Sequence, residues 1–207
     1  MLDRYARKII DAPLNRLGRV IASAGLGANA VTLIGLALGL GAALFVVLGL
    51  YGVALILLLA SRLADGLDGA VARATQTTDF GGYLDIACDF LFYGAIPFAF
   101  VVADPAANAI AGAFLLLSFY FNGSSFLGFA ILAEKREIST KAQGKKSLYY
   151  SNGLLEGTET IGFFVLLCLF PQWFAPMAWI FGTLCFATAA LRIVAARDLF
   201  IHEGPLT

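Results

Sequence analysis

Four aspartates stand out in an otherwise apolar chain: Asp65, Asp68, Asp85 and Asp89. An ionised side chain inside a membrane segment is costly, so carboxylates placed there are functional candidates by default. With about 3.6 residues per turn, Asp65 and Asp68 lie along one face of a predicted helix, and Asp85 and Asp89 lie one turn apart on the next. The four carboxylates can therefore converge between two neighbouring helices.

Such a cluster predicts hard divalent cations. Carboxylates packed this closely repel one another and take up protons unless cations balance them. Ligands that are all oxygen, with no thiolate or imidazole, favour Mg²⁺ or Mn²⁺, with Ca²⁺ as a competitor. Two divalent cations would balance four acids, and a pair of such ions supports displacement at phosphorus. The sequence therefore predicts a two-metal site of Mg²⁺ or Mn²⁺.

Small residues and an arginine lie between the acids. Gly69 and Gly81 leave room for a bulky nucleotide to approach the backbone, and Arg73 offers a planar, permanently charged fork for a phosphate or a base edge. Two alternatives stay open at this point. The glycines would only allow close helix packing, or the aspartates would form a path for protons or ions.

The elements that carry these residues belong to an integral membrane protein. Of 207 residues, 60% are hydrophobic and 14% are charged, with a mean hydropathy of +0.84, whereas about a quarter of the residues in soluble proteins are charged. A span needs about 20 apolar residues. We predict an all-α protein with six transmembrane helices, at 32–48, 53–74, 80–103, 107–132, 153–170 and 174–196.

An amphipathic helix is predicted over residues 1–22. Apolar residues recur there at helical spacing with Arg and Lys between them, which suits a helix lying in the membrane interface. Because charges recur through this segment, it is not a signal peptide. The alternative is a solvated helix that packs on the bundle. We expect a single membrane domain over 1–207, with this helix preceding a six-helix bundle at 32–196.

The basic residues predict the orientation, because all 14 Lys and Arg fall on one side of the predicted spans. Since cytoplasmic flanks collect Lys and Arg, both termini and the aspartates should face the cytoplasm, in what we expect to be a bacterial inner membrane. A cationic face of this kind suits anionic membrane lipids. Nucleic acid is excluded as a partner, because there is no basic, aromatic-rich polar surface to bind it.

The segment from Asp65 to Asp89 reads DGLDGAVARATQTTDFGGYLDIACD. It resembles the signature of the CDP-alcohol phosphotransferase family, D-x2-D-G-x2-A-R followed by G-x3-D-x3-D. Upstream, Asn29 and Thr32 match the family's P-N-x-x-T segment, in which Ala28 replaces the proline. The resemblance implies a membrane enzyme of phospholipid synthesis that transfers a phospho-alcohol group from a CDP-linked donor to a hydroxyl acceptor and releases CMP.

The resemblance also implies roles for individual residues. Asp65, Asp68 and Asp85 would hold two metal ions against the donor diphosphate. Asp89 would be the general base and would also contact a metal. Family members are commonly homodimers, which implies a homodimer here. The residues implied to border the CDP donor are Asn29, Thr32, Gly69, Ala72, Arg73 and Gly81.

The substrates are less constrained than the reaction. The segment CDFLFYGAIP, which begins at Cys88, is more similar to the phosphatidylserine synthase branch than to the glycerophosphate and cardiolipin branches. This similarity favours CDP-diacylglycerol as donor and a small polar alcohol as acceptor. Polar residues in the later segments are candidates for the acceptor pocket: Asn122, Lys145, Glu156 and Glu159. The two glutamates would hold an ammonium group or pair with Lys145, which is otherwise part of a positive-inside loop.

Three other functions remain as alternatives. CDP-choline or CDP-ethanolamine as donor, with diacylglycerol as acceptor, would use the same metal site. A cation-binding membrane transporter would usually show repeats or broken helices at the midplane, whereas these acids cluster near one face. The third is a non-catalytic member of the same family.

Overall fold

In the computed structural model the chain is helical throughout the part that is described, which comprises residues 3–135, 155 and 157–202. This confirms the prediction of an all-helical membrane protein. The elements are α1 (Asp3–Ser23), α2 (Ala28–Val47), α3 (Tyr51–Ala74), α4 (Asp79–Ala103), α5 (Pro105–Lys135), α6 (Gly157–Leu169), a 3₁₀ turn (Pro171–Trp173) and α7 (Phe174–His202).

Four of these segments are long and apolar enough to cross a membrane: α2, α4, α5 and the stretch Pro171–Ile201. Helix α3 has the length, at 24 residues, but it carries Arg62, Asp65 and Asp68 from its middle onward. Helix α6 has 13 residues, fewer than the roughly 20 that a span needs. Length and composition in the described residues thus support four spans, and the six-span arrangement stays a prediction.

The ends of the helices follow from local chemistry. Gly49, with φ of +73°, makes the turn between α2 and α3 in a conformation that other residues rarely adopt. Thr78 Oγ1 accepts the N–H of Gly81 at 3.0 Å and so caps α4. Because α4 begins at Asp79 and α3 ends at Ala74, the aspartates of both helices collect at one end of the bundle.

A core of aromatic side chains joins the helices further along. Phe92, Phe100, Phe164 and Phe174 are fully buried and bring α4, α6 and α7 together. Helix α2 packs against α3 and α4, and α5 packs against α4 and α7.

The G-x3-G pair of α2 serves packing within this chain. A Cβ on Gly35 would lie 3.3 Å from Ala64 Cβ, and one on Gly39 would lie 2.5 Å from Phe92 Cδ2. The two glycines thus let α3 and α4 approach α2 closely.

Helix α1 packs against α3 beside the aspartates. A Cβ on Gly18 would lie only 2.7 Å from Ala70 Cβ, so the two helices are in close contact. Leu14 and Ile21 pack against a small buried cluster that includes Leu67 and Val71. The predicted N-terminal helix is therefore present, and one of its faces is covered by the bundle.

Candidate functional site

Three carboxylates meet between α3 and α4. Asp65, Asp68 and Asp85 each offer an oxygen, and these oxygens all lie within 4.8 Å of one another. Metal–oxygen distances in Mg²⁺ and Ca²⁺ sites are about 2.0–2.6 Å, so one cation can reach oxygens at this separation. The ligand atoms are all carboxylate oxygens, which hard divalent cations prefer. Three of the four predicted metal ligands therefore form a group that fits such an ion.

Asp68 is held in place by α2. It is buried, with 6% of its surface exposed, and Thr32 Oγ1 donates a hydrogen bond to its Oδ2 at 2.7 Å. A buried carboxylate is costly unless it is hydrogen-bonded. Thr32, predicted beside the donor, thus contacts a metal-ligand candidate directly and orients it.

Asp89 has a different partner. Arg62 Nη1 donates to Asp89 Oδ1 at 2.8 Å and lies 3.5 Å from Asp65 Oδ1. Asp89 therefore joins the three-carboxylate group through an arginine shared with Asp65. From the sequence alone, Arg62 was only one of the 14 basic residues that predict the orientation in the membrane. Its position one helical turn before Asp65 was the available signal, because side chains three residues apart on a helix are neighbours.

The residues predicted to border the donor form two close pairs. A Cβ on Gly81 would lie 3.1 Å from Asn29 Oδ1, and one on Gly69 would lie 3.3 Å from Arg73 Nη1. Ala72 is half-buried between Gly69 and Arg73 along α3. The beginnings of α2 and α4 thus meet at Asn29 and Gly81, at the end of the bundle that carries the aspartates.

Arg73 is bound by the N-terminal helix. Its Nε and Nη2 donate to Asn15 Oδ1 at 3.2 and 2.9 Å. Sequence reasoning missed Asn15, and no local pattern could have identified it, since 58 residues separate the two side chains. Helix α1 therefore takes part in orienting an arginine of the signature segment.

Among the predicted acceptor-pocket residues, Asn122 is bound to a buried arginine of α7. Arg192 Nη1 donates to the Asn122 carbonyl at 3.0 Å, to its Oδ1 at 2.9 Å and to Ser125 Oγ at 2.6 Å. Arg192 is 7% exposed and was not predicted as a site residue. Glu159 lies half-buried in the first turn of α6, and Lys145 and Glu156 lie outside the described residues.

Comparison with known proteins identifies the family of the chain. The family model for CDP-alcohol phosphatidyltransferases matches residues 26–195. Inner membrane protein YnjF of Escherichia coli K12 is 51% identical over 193 residues, which cover 93% of this chain and 94% of the relative. Archaetidylinositol phosphate synthase of Pyrococcus horikoshii is 38% identical over 99 residues, which cover 47% of this chain and 52% of that protein.

Two solved structures share the fold. Phosphatidylinositol phosphate synthase of Mycobacterium tuberculosis with CDP-DAG bound superposes with a TM-score of 0.71 at 20% identity, covering 89% of this chain and 93% of that one. The same enzyme in complex with manganese and citrate gives 0.70 at 19% identity, covering 88% of each.

Proposed function

This chain belongs to the CDP-alcohol phosphatidyltransferase family, and we propose that it transfers a phosphatidyl group from CDP-diacylglycerol to the hydroxyl of a small polar alcohol. Family membership makes it a membrane enzyme of phospholipid synthesis with a CDP-linked donor. The observation that carries the proposal is the meeting of Asp65, Asp68 and Asp85 oxygens within 4.8 Å, with Asp89 one turn further along α4.

We propose that Asp65, Asp68, Asp85 and Asp89 hold two divalent cations, Mg²⁺ or Mn²⁺. Support comes from the oxygen-only ligand set and from the manganese complex of the M. tuberculosis synthase, which shares the fold. Ions bound here would neutralise the diphosphate oxygens and stabilise CMP as it leaves. Thr32 keeps Asp68 oriented toward that role through its 2.7 Å hydrogen bond.

Asp89 is the general base of the proposed reaction. The acceptor oxygen bonds to the phosphorus on the lipid side of the diphosphate, the bond from that phosphorus to the CMP oxygen breaks, and the hydroxyl proton passes to Asp89. Arg62 engages Oδ1 at 2.8 Å, so we assign the proton transfer to Oδ2. The Asp89 side chain is 30% exposed, which leaves it accessible to an acceptor.

We place the donor nucleotide along Gly69, Ala72 and Arg73 of α3. Asn29, Thr32 and Gly81 border it at the adjoining ends of α2 and α4. Glycine at 69 and 81 lets a nucleotide approach the backbone, and the Arg73 fork suits phosphate. CDP-diacylglycerol is preferred over CDP-choline or CDP-ethanolamine because the M. tuberculosis synthase of the same fold was solved with CDP-DAG bound.

An acceptor that itself carries a phosphate is the second candidate. Arg192 is a buried cation held by Asn122 and Ser125, and arginine binds phosphate through charge-assisted hydrogen bonds. One relative is named archaetidylinositol phosphate synthase, and the structural neighbour is a phosphatidylinositol phosphate synthase. Glu159, in contrast, would favour an acceptor with an ammonium group, such as serine.

The arrangement of the protein in the membrane is also proposed. We place both termini and the site at the cytoplasmic face of a bacterial inner membrane, because all 14 basic residues lie on one side of the predicted spans and YnjF is an inner membrane protein. We also propose six spans, a single domain that includes α1, and a homodimer. Cysteine accessibility and cross-linking in inverted vesicles would check orientation and dimer.

The test is acceptor-dependent CMP release by the purified protein in liposomes with Mg²⁺ or Mn²⁺. CDP-diacylglycerol is offered with serine, inositol, inositol phosphate, glycerol phosphate, phosphatidylglycerol, ethanolamine or choline, and the lipid product is identified by mass spectrometry. Release with one of the small alcohols supports the proposal, and release with inositol phosphate or glycerol phosphate supports the second candidate. Turnover only with CDP-choline or CDP-ethanolamine and diacylglycerol would contradict the assigned donor.

A further inference from the structure

Arg62 is a largely buried cation inside the acidic cluster, and the proposed reaction uses it only to occupy Asp89 Oδ1. Its side chain is 9% exposed. Its Nη1 lies 2.8 Å from Asp89 Oδ1 and 3.5 Å from Asp65 Oδ1. One guanidinium therefore bridges the proposed general base on α4 and a proposed metal ligand on α3.

The surroundings of Arg62 fix its guanidinium in one orientation. Nη2 donates to Ser61 Oγ at 3.2 Å, and Ser61 Oγ in turn donates to the Gly35 carbonyl at 2.7 Å. The guanidinium carbon lies over the Phe92 ring, 3.8 Å from its centre, which is within the range of a cation–π contact. Contacts from α2, α3 and α4 thus hold the cation against the carboxylates.

The burial of the Arg62 guanidinium is stabilised by its attraction to nearby carboxylates. A buried charge is costly unless it is paired, and Arg62 Nε has no hydrogen-bond partner among the residues the structure describes. Its pairing therefore depends on Asp89 and Asp65. The same two carboxylates are proposed to bind divalent cations, which a neighbouring guanidinium repels.

We propose that Arg62 is the built-in counter-ion of the metal site, a positioning residue that orients Asp89 and limits how tightly divalent cations bind. The inference rests on the proposed function, because it concerns the cations assigned to that site. With Arg62 the four aspartates present a net charge of −3 rather than −4. The metal-free protein gains a paired cation, and the metal-bound protein keeps a positive charge beside its ions.

If Arg62 has this role, removing its charge destabilises the metal-free protein but strengthens metal binding. Removing the charge destabilises the metal-free protein, since Asp65 and Asp89 lose their partner, and it strengthens metal binding, since the repulsion is gone. A residue that served only packing would destabilise both states equally. Metal-dependent stability therefore distinguishes the two roles without any measurement of turnover.

The experiment compares wild type, Arg62→Gln and Arg62→Lys in detergent without substrate. Mn²⁺ affinity is measured by electron paramagnetic resonance, and thermal unfolding is measured in EDTA and in saturating Mn²⁺. We expect Arg62→Gln to bind Mn²⁺ about tenfold more tightly, equivalent to about 1.4 kcal/mol. The rise in Tm from EDTA to Mn²⁺ should also exceed that of wild type. Arg62→Lys keeps the charge and should stay within about threefold of wild-type affinity.

Arg73→Gln is the matched control, because Arg73 lies on the same helix but bonds to Asn15 rather than to an aspartate. Its Mn²⁺ affinity should equal that of wild type. Equal Tm losses for Arg62→Gln in EDTA and Mn²⁺ with unchanged affinity would overturn the inference, and so would an Arg62→Lys protein that changes affinity as much as Arg62→Gln. If wild type binds no Mn²⁺, the proposed metal site itself fails and the inference with it.

Discussion

Replacing Thr32 with valine removes a buried hydroxyl while nearly conserving the shape of the side chain. That hydroxyl donates to Asp68 Oδ2 at 2.7 Å, and both residues are buried, at 6% exposure each. A hydrogen bond to a charged group contributes about 1.5–3 kcal/mol. Loss of an outer partner of a metal-ligating group typically costs about 10–100-fold in metal affinity or activity. We expect a loss in this range for Thr32→Val.

The assay is CMP release as a function of Mn²⁺ concentration at saturating donor and acceptor. Thr32→Val should raise the Mn²⁺ concentration for half-maximal activity about 10–100-fold, and excess Mn²⁺ should restore much of the rate, because the Asp68 carboxylate itself remains. A direct donor contact by Thr32 would instead raise the KM for the donor at every Mn²⁺ concentration.

Thr188→Val supplies the control for this substitution. Thr188 is also buried, at 1% exposure, but among the described residues its hydroxyl donates to the Leu184 carbonyl of its own helix and to no carboxylate. Its Mn²⁺ requirement should match wild type. If folded Thr32→Val protein has the same Mn²⁺ requirement as Thr188→Val, the hydrogen bond from Thr32 to Asp68 does not support metal binding.

Two further predictions concern packing and the donor site. Gly39→Ala would place a Cβ 2.5 Å from Phe92 Cδ2 and should destabilise the protein by about 1–3 kcal/mol. This would appear as a lower Tm, whereas Gly128→Ala, where a Cβ meets no described residue within 4 Å, should leave the Tm unchanged or slightly higher. Asn15→Ala removes the acceptor of both Arg73 hydrogen bonds and should raise the KM for the CDP donor about tenfold with little change in kcat, as expected for a loss of uniform binding. An unchanged KM for the CDP donor would show that helix α1 takes no part in donor binding.

The site was predictable to the extent that it is built from local spacing. Asp65 and Asp68 share a face of α3 because of the helical repeat, and the signature segment places Asp85 near the start of the next helix. Contacts across the bundle carry no such signal. Thr32 and Asp68 are 36 residues apart, Arg62 and Asp89 are 27 apart, and both pairs form only once α2, α3 and α4 have packed.

The fold, too, was predictable where local sequence decides it and not where it depends on contacts between helices. Hydropathy predicted the apolar helices, and Gly39, four residues after Gly35 in α2, has the spacing typical of close helix packing. Whether its partner lay in this chain or in a second copy depended on which helix faced it, and the structure places Phe92 of the same chain there. Helix α3 illustrates the limit, because its charged half serves the site and departs from the composition of an ordinary span.

We propose above that the aspartate cluster carries out phosphatidyl transfer with Asp89 as the base. The most direct test is CMP release from CDP-diacylglycerol with the acceptor panel, comparing wild type, Asp89→Asn and Asp104→Asn. In the described part of the chain, the Asp104 side chain caps α5 through the N–H of Ala107, and asparagine caps equally well. We expect acceptor-dependent release by wild type and Asp104→Asn, with a loss of about 10²–10⁴-fold in Asp89→Asn. Release by Asp89→Asn at the wild-type rate would contradict the proposal.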